Sequence, residues 1–487
     1  MKILVTVFTM FLVLSMLTGV YAQGQEVILR VQQSWETYGV GTTCISGGNN
    51  LFIEDVDGDG VVEILTGGFM YKPENGTMGS MLAPLMIWNW DGIAVTLEHS
   101  GKWPGSIRCV YAADLDGDGK VEIITGGTFR NQNESETRTY NSLRIWNWDN
   151  NDLTLRADYH GIAVSAVSVY DLDNDGALEL ITTGSQQGAA QLCVWKFNTD
   201  LQLISTVDLD EANVAVTNSV YVDDLDNDGK AEVVVGGYSG YLNNSKGQIS
   251  IWNWKDNGFS LTANQQWQIM DGYALTIAGG VQGNTIVNSV KAADLDGDGV
   301  LELVSGGFTW DGENILAQIK VFKWDGLNLV ELDSKEWSED YLTEVKCIAL
   351  NDVNGDGKID VVASGTIAAA GSFNNTNAVS DRGLLRVWTW ENGILTLKHD
   401  TIWALDDGVC AWSVAVFDVD GSGIIELVTV GCVGKDGLCD PNMRIWTVPQ
   451  AAALEDYSAV LIAAIAFVVV ASLGVVLFFR KRAHKIK

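Results

Sequence analysis

Bases, histidine and proline are scarce in this chain, and each scarcity removes a class of explanation. Lys and Arg number 30 against 62 Asp and Glu, a formal net charge of -32 over 487 residues. So strong an acid excess argues against nucleic acid or an anionic membrane surface as the partner. Only 4 histidines occur, and His99, His160 and His399 belong to no repeated or clustered motif. No metal-ligand histidine pair, nucleophile elbow or phosphate loop is present. Prolines number 5 against 52 glycines and 18 tryptophans, a balance of turns and strands rather than helices. With 47% hydrophobic and 19% charged residues, the chain is not a disordered acidic tail.

The two ends read as export and anchorage. Residues 1–22 carry Lys2, an apolar run from Ile3 through Met16, and small residues near Ala22, the pattern of a signal peptide. Residues 458–479 hold no charge, and at ~1.5 Å per residue they are long enough for a transmembrane helix. The tail over 480–487 is wholly basic, with Arg480, Lys481 and Arg482 leading it. The positive-inside rule places that tail in the cytoplasm and residues 23–457 outside the cell. Residues 449–457 form a short stalk between the globular part and the span.

Self-comparison fixes the organisation of residues 23–448. A string D-x-D-x-D-G-x-x-E recurs from Asp55, Asp114, Asp171, Asp224, Asp294, Asp352 and Asp418, at intervals of roughly 50 to 70 residues. Each copy follows an alternating segment such as Ile107–Ala113 and precedes an apolar run ending in glycine, as in Glu122-Ile123-Ile124-Thr125-Gly126-Gly127. A Trp-rich third segment follows, as in Ile87-Trp88-Asn89-Trp90, Ile145-Trp146-Asn147-Trp148 or Val387-Trp388-Thr389-Trp390, and often ends in a D-G or N-G turn. A fourth follows, such as Leu153-Thr154-Leu155. Four antiparallel strands repeated seven times predict an all-β, seven-bladed β-propeller. The seventh copy ends after its third strand, and Glu26–Trp35 resembles a fourth, so the N-terminal strand is expected to close the ring. Paired Trp at i and i+2 share a strand face, and filling the space between blades is their expected role; stacking on sugar is the alternative, chiefly for Trp35, Trp103, Trp267, Trp337 and Trp403.

The loops between first and second strands carry the chemistry. In the first copy Asp55, Asp57 and Asp59 offer carboxylates, Gly60 permits a sharp turn, Val61 offers a carbonyl and Glu63 returns a carboxylate. The same places are filled by Asp114, Asp116, Asp118, Lys120 and Glu122 in the second copy, and by Asp171, Asp173, Asp175, Ala177 and Glu179 in the third. The fourth has Asp224, Asp226, Asp228, Lys230 and Glu232; the fifth Asp294, Asp296, Asp298, Val300 and Glu302. The sixth has Asp352, Asn354, Asp356, Lys358 and Asp360; the seventh Asp418, Asp420, Ser422, Ile424 and Glu426. Oxygen-only ligands in a flexible loop select Ca²⁺, one ion per blade and up to seven. An EF-hand would need an acid at position 12, where this chain has Thr66, Thr125, Thr182, Val235, Ser305, Ala363 and Thr429. Ser422 makes the seventh site the weakest expected.

These loops, each followed by an apolar run, resemble FG-GAP/VCBS repeats, the unit of the seven-bladed propeller of integrin alpha subunits and of some lectins and polysaccharide-active proteins. The resemblance covers residues 26–448, although the literal Phe-Gly-Gly-Ala-Pro string is absent and no further modules precede the membrane. It implies that the metal loops and the turns between third and fourth strands share one face, and that the chain leaves on that face, toward the bilayer. The opposite face carries the length variation at 69–83, 268–287 and 366–382, and the sequons Asn75, Asn133, Asn243 and Asn374. A protein or glycan ligand is expected there.

Cysteine is sparse and odd in number, at 7. Cys432 and Cys439 flank one hairpin and are the expected disulfide. Cys109 and Cys347 occupy a place that other copies fill with Asn50, Ala166, Ser219, Ser289 and Ser413, which predicts buried thiols at a crowded axis. Cys44, Cys193 and Cys410 are unassigned. The function expected is recognition or adhesion at the cell surface without catalysis. A membrane-anchored lectin is the alternative, and a polysaccharide lyase or hydrolase a weaker one.

Overall fold

A computed structural model describes residues 27–35, 43–44, 49–74, 77–130, 139–149, 152–186, 188–209, 214–240, 245–270, 276–277, 280–281, 284–369, 381–404, 408–435 and 438–450. The expected signal peptide, most of the stalk, the span over 458–479, the tail and the four sequon asparagines lie outside these residues. Among the described residues the chain is all-β, and no helix is long and apolar enough to cross a membrane.

The strands group into seven four-stranded antiparallel units in chain order. The third unit, for example, runs Ala163–Tyr170, Glu179–Gln186, Ala189–Phe197 and Leu201–Asp208, each paired with the next. In the last unit Val409–Phe417, Glu426–Lys435 and Leu438–Thr447 are joined by the N-terminal strand Ile28–Ser34, which pairs antiparallel with Leu438–Thr447 from Ile28 opposite Thr447 to Ser34 opposite Asn442. The expected completion of the seventh unit by the N-terminal strand is therefore present. Units one and two share one strand, Val95–Ala113, which serves first as a fourth strand and then as a first. A single parallel bridge between Ile315 and Leu342 links units five and six.

Two layers of packing join the units. Near the axis the first strands touch in succession, and the seventh, Val409–Phe417, returns to the first, Leu51–Glu54. They line one axial cavity of about 450 Å³ to which all seven contribute, among them Phe52, Tyr111, Val167, Tyr221, Lys291, Ala349 and Val416. The small residue five places before each loop is buried throughout, from Asn50 and Cys109 to Cys347 and Ser413, as the crowding argument requires. Ser219 Oγ accepts from Val290 N–H at 3.1 Å and Ser289 Oγ from Ile348 N–H at 3.2 Å, each reaching the next unit. The Gly-Gly pair serves the same closeness: a Cβ on Gly126 would lie 2.6 Å from Cys109 Sγ and one on Gly127 2.1 Å from the Ser106 carbonyl.

Farther out, the aromatic residue closing one unit meets, tilted or edge-on, the first aromatic residue of the next unit's third strand. Trp103 meets Trp146 at 4.4 Å, Tyr159 meets Trp195 at 4.6 Å, Trp267 meets Phe322 at 5.8 Å, Trp337 meets Trp388 at 5.5 Å and Trp403 meets Trp446 at 5.0 Å. Trp35 meets Trp88 at 4.7 Å, so the same contact joins the seventh unit to the first. Between units three and four Val207 packs into the cluster that holds Trp252. These tryptophans are thus seam filler, each burial contributing a few kcal/mol at about 25 cal/mol per Å².

Some segments expected as loops are strands. Phe69–Glu74 and Thr77–Trp90 pair as an extended hairpin, from Met70 opposite Leu82 to Glu74 opposite Thr77. The insertion expected over 268–287 is shorter, since Thr285 already begins the first strand of unit five.

Candidate metal centre

The loop geometry follows from glycine and from the backbone amides that no strand partner can satisfy. Gly60 has a φ of 89°, a left-handed turn that a side chain rarely adopts. Its N–H donates to Asp55 Oδ2 at 2.9 Å, and the same bond from position 6 to the position-1 carboxylate recurs in every copy. The position-9 acid begins the second strand and reaches back. Glu63 Oε2 accepts from Val56 N–H at 2.9 Å, and Glu122, Glu179, Glu232, Glu302 and Glu426 do the same.

That second bond uses one oxygen and leaves the other facing the loop. In the first five copies the acids at positions 1, 3 and 9, starting with Asp55, Asp57 and Glu63, bring oxygens within 4.8 Å of one another. The position-5 residue stands outside this trio. Asp59 accepts the N–H of Val61 at 2.8 Å and so shapes the turn, as Asp118 does for Lys120 and Asp356 for Lys358. Ser422 Oγ does the same for Ile424 at 3.3 Å. In the sixth copy Asn354 Nδ2 donates to Asp360 Oδ2 at 3.0 Å and Thr389 donates to Asp360 Oδ1.

The acids gathered here fit a cation. Glu122 Oε1, Asp226 Oδ1, Asn354 Oδ1 and Asp418 Oδ1 are buried without a hydrogen-bond partner, and such a group costs ~1–3 kcal/mol unless something answers it. Burial first, then the neighbouring Asp charges, push Glu63 up to about 8 and Glu122, Glu232 and Glu426 up to about 7. Asp360 rises to about 6 for the same first cause. Several buried acidic clusters can therefore hold a metal ion.

The profile described as FG-GAP-like repeat matches residues 171–235 and 224–305. These segments are FG-GAP-like repeats. No curated protein matches the chain. The loops at Asp55, Asp114, Asp352 and Asp418, outside the matched residues, have the same amide bond from position 6 as those inside them.

Two features of the repeats escaped the sequence reading. The middle residue of Trp-x-Trp lies directly across from the position-9 acid, with Asn89 opposite Glu63, Asn147 opposite Glu122 and Asn253 opposite Glu232. Asn147 Oδ1 and Asn253 Oδ1 are buried without a partner and add neutral oxygens beside the carboxylates. Position 12, used above only to exclude an EF-hand, anchors the seam: Thr66, Thr125, Thr182 and Thr429 accept the indole N–H of Trp88, Trp146, Trp195 and Trp446 at 2.8–3.0 Å.

The turns between third and fourth strands lie beside the loops, as expected for one shared face. A Cβ on Gly92 would lie 2.8 Å from Asp420 Oδ2, and one on Gly326 2.9 Å from Asp226 Oδ2. Gln450 Nε2 donates to the Val353 carbonyl of the sixth loop at 3.2 Å, so the described chain leaves on this face.

His99, His160, Cys109 and Cys347 sit in local packing contacts. His99 rests on Trp148 at 5.0 Å, and burial lowers its pKa. His160 Nε2 is 3.2 Å from Asp158. Cys109 is a buried free thiol pushed up to about 12, and Cys347 is buried with Sγ 3.6 Å from the Val414 carbonyl. Cys432 is disulfide-bonded, and Cys410 stands opposite it on the neighbouring strand. Cys439 pairs with Gly434, two places from Cys432, but its side chain is outside the described residues.

Proposed function

We propose that the chain is a calcium-stabilised recognition protein of the cell surface. Its seven units form a seven-bladed β-propeller that the N-terminal strand closes, carried on one C-terminal span, and it binds an extracellular protein or glycan without catalysis. One observation carries the calcium part: position-1, -3 and -9 oxygens converge with buried unpartnered atoms among them. Hard oxygen ligands of variable number suit Ca²⁺ better than the rigid octahedron of Mg²⁺. Asp55, Asp57 and Glu63 and their counterparts hold the ion, whose charge would offset the repulsion among them.

The recognition part rests on geometry of a different kind. The exit beside the sixth loop directs the metal face toward the bilayer, leaving the opposite face, with the hairpin Phe69–Glu74 and Thr77–Trp90, as the outward surface. Seam packing occupies the fourth-strand tryptophans, which favours a protein ligand over sugar stacking at those positions. The soluble ectodomain, residues 23–457, applied with calcium to a glycan array tests this. Specific glycan hits would replace the protein ligand with a lectin function, and cleavage of an arrayed glycan would overturn the non-catalytic reading. A protein partner recovered with the ectodomain, and lost when residues 271–284 are exchanged for a short Gly-Ser loop, supports the outward face.

A further inference from the structure

Five loops share the full set of three Asp and one Glu, yet they are not equivalent. Where the first, second and fourth copies place Asn89, Asn147 and Asn253 beside the position-9 acid, the third and fifth place Lys196 and Lys323. Lys196 Nζ lies 2.8 Å from Glu179 Oε1, 2.9 Å from Asp175 Oδ2 and 3.3 Å from Asp173 Oδ2. Lys323 Nζ lies 2.6 Å from Asp298 Oδ2 and 3.6 Å from Glu302 Oε1. Lys196 thus sits on the inward oxygen of Glu179, and Lys323 sits on Asp298 with Glu302 Oε1 next nearest, where the first, second and fourth loops have a neutral asparagine. The Lys196 contacts reach acids at positions 3, 5 and 9, three of the four carboxylates of its loop.

We infer that Lys196 and Lys323 are resident cations that offset the charge of the third and fifth loops without metal and make them the weak calcium sites among the five complete ones. The inference rests on the reading that the loops bind calcium. Its physical basis is competition for the same oxygens. A divalent ion entering either loop meets a like charge within ~4–6 Å, which disfavours it, or must first displace the lysine into water. An asparagine at the same place imposes neither cost and supplies an oxygen.

Equilibrium dialysis of calcium against the ectodomain tests this with four proteins: the wild type, Lys196→Asn, Lys323→Asn and the double variant. Each substitution is expected to convert one weak site into a tight one, by at least about tenfold in affinity, since a like charge has been removed. The double variant then holds two more tightly bound ions than the wild type. Equal numbers and affinities in all four, with the wild type binding calcium, would overturn the role of the lysines and leave the calcium reading standing. No binding in any of the four would overturn both. Thermal unfolding in chelator supplies a second readout. The lysine variants should melt lower than the wild type without calcium and regain the difference with it. Asn147→Lys provides the converse, and is expected to remove one tight ion while raising the chelated melt; an unchanged count of tight ions in that variant would also overturn the inference.

Discussion

Chelating calcium should lower the melting temperature of the ectodomain by about 15 °C. The figure follows from the loops with no ammonium near the position-9 acid, namely the first, second, fourth, sixth and seventh; in the fourth, Lys230 pairs with Asp228 at 2.8 Å and is exposed. A ligand at about 100 times its Kd stabilises the folded state by ~2.7 kcal/mol per site. Five such independent sites, with the weaker seventh counted in full, contribute up to about 13 kcal/mol. The entropy of unfolding, about 2.1 cal/mol/K per residue, is about 0.9 kcal/mol/K for roughly 420 residues, which converts the loss into about 15 °C. Scanning calorimetry of the same protein in 1 mM calcium, at about 100 times a Kd of ~10 µM, and then in excess EDTA reads the difference directly. A fall of less than about 3 °C, roughly the share of one site by the same conversion, would refute the reasoning. It would mean that the backbone amides at position 6 and position 2 already satisfy the acids, and that the cation adds nothing to the fold.

The pH dependence has a definite sign. Glu63, at about 8, and Glu122, Glu232 and Glu426, at about 7, have folded values above the ordinary 4.5. The metal-free folded state thus binds more protons than the unfolded chain, and its stability falls as pH rises from about 4.5 to about 8. Calcium requires the ionised form, so the gap between calcium and EDTA melts should widen over that window; a constant gap would contradict it. Asp116→Ala should remove one bound ion and lower the calcium melt by about 3 °C, with little change in EDTA; equal losses in both buffers would point to a packing defect. Thr125→Val strands the indole N–H of Trp146, now 2.8 Å from Thr125 Oγ1, and should cost ~1–3 kcal/mol in denaturant unfolding. Deleting residues 27–35 uncovers the edge of Leu438–Thr447 and the face of Trp88, and should yield a less stable, self-associating ectodomain by light scattering.

How much of this was legible depends on whether a feature repeats in sequence. The loops were readable because Asp, Gly and Glu recur at fixed offsets, and the structure gives each of those places the same bond. The closing role of Ile28–Ser34 was readable from a missing fourth strand, and the seams from Trp at matching positions. Other features were hidden by the same regularity. Lys196 and Lys323 look like ordinary outward residues of a strand until the hairpin register sets them across from Glu179 and Glu302. Trp103-Pro104-Gly105 holds a proline and a glycine, yet the strand Val95–Ala113 runs through it. Gly105, at a φ of 136°, takes a conformation closed to side chains, and a Cβ there would lie 1.9 Å from the Thr128 carbonyl. Composition cannot show such a place, because it is set by a neighbouring strand.

The seams and the loops answer different problems, and this sets how far the loss of metal can reach. The aromatic seams, six of them paired rings, join neighbouring units without using the loop carboxylates, and Arg144, Lys320, Arg386 and Arg444 lie over rings of four of them. The position-9 acid acts within one unit, tying the start of the second strand back to the end of the first, while single bonds such as Asn174 Nδ2 to the Gly229 carbonyl link neighbouring loops. Removing cations therefore sets carboxylates against each other inside single units while leaving the apolar contacts between units intact. Units three and five, with Lys196 and Lys323 on their acids, should lose least. Amide exchange in EDTA ought to rise first in the segments after Asp55, Asp114 and Asp224 and to spare those after Asp171 and Asp294. Uniform exchange through all seven loops would mean that the ring opens as one body, with the seams depending on the metal after all.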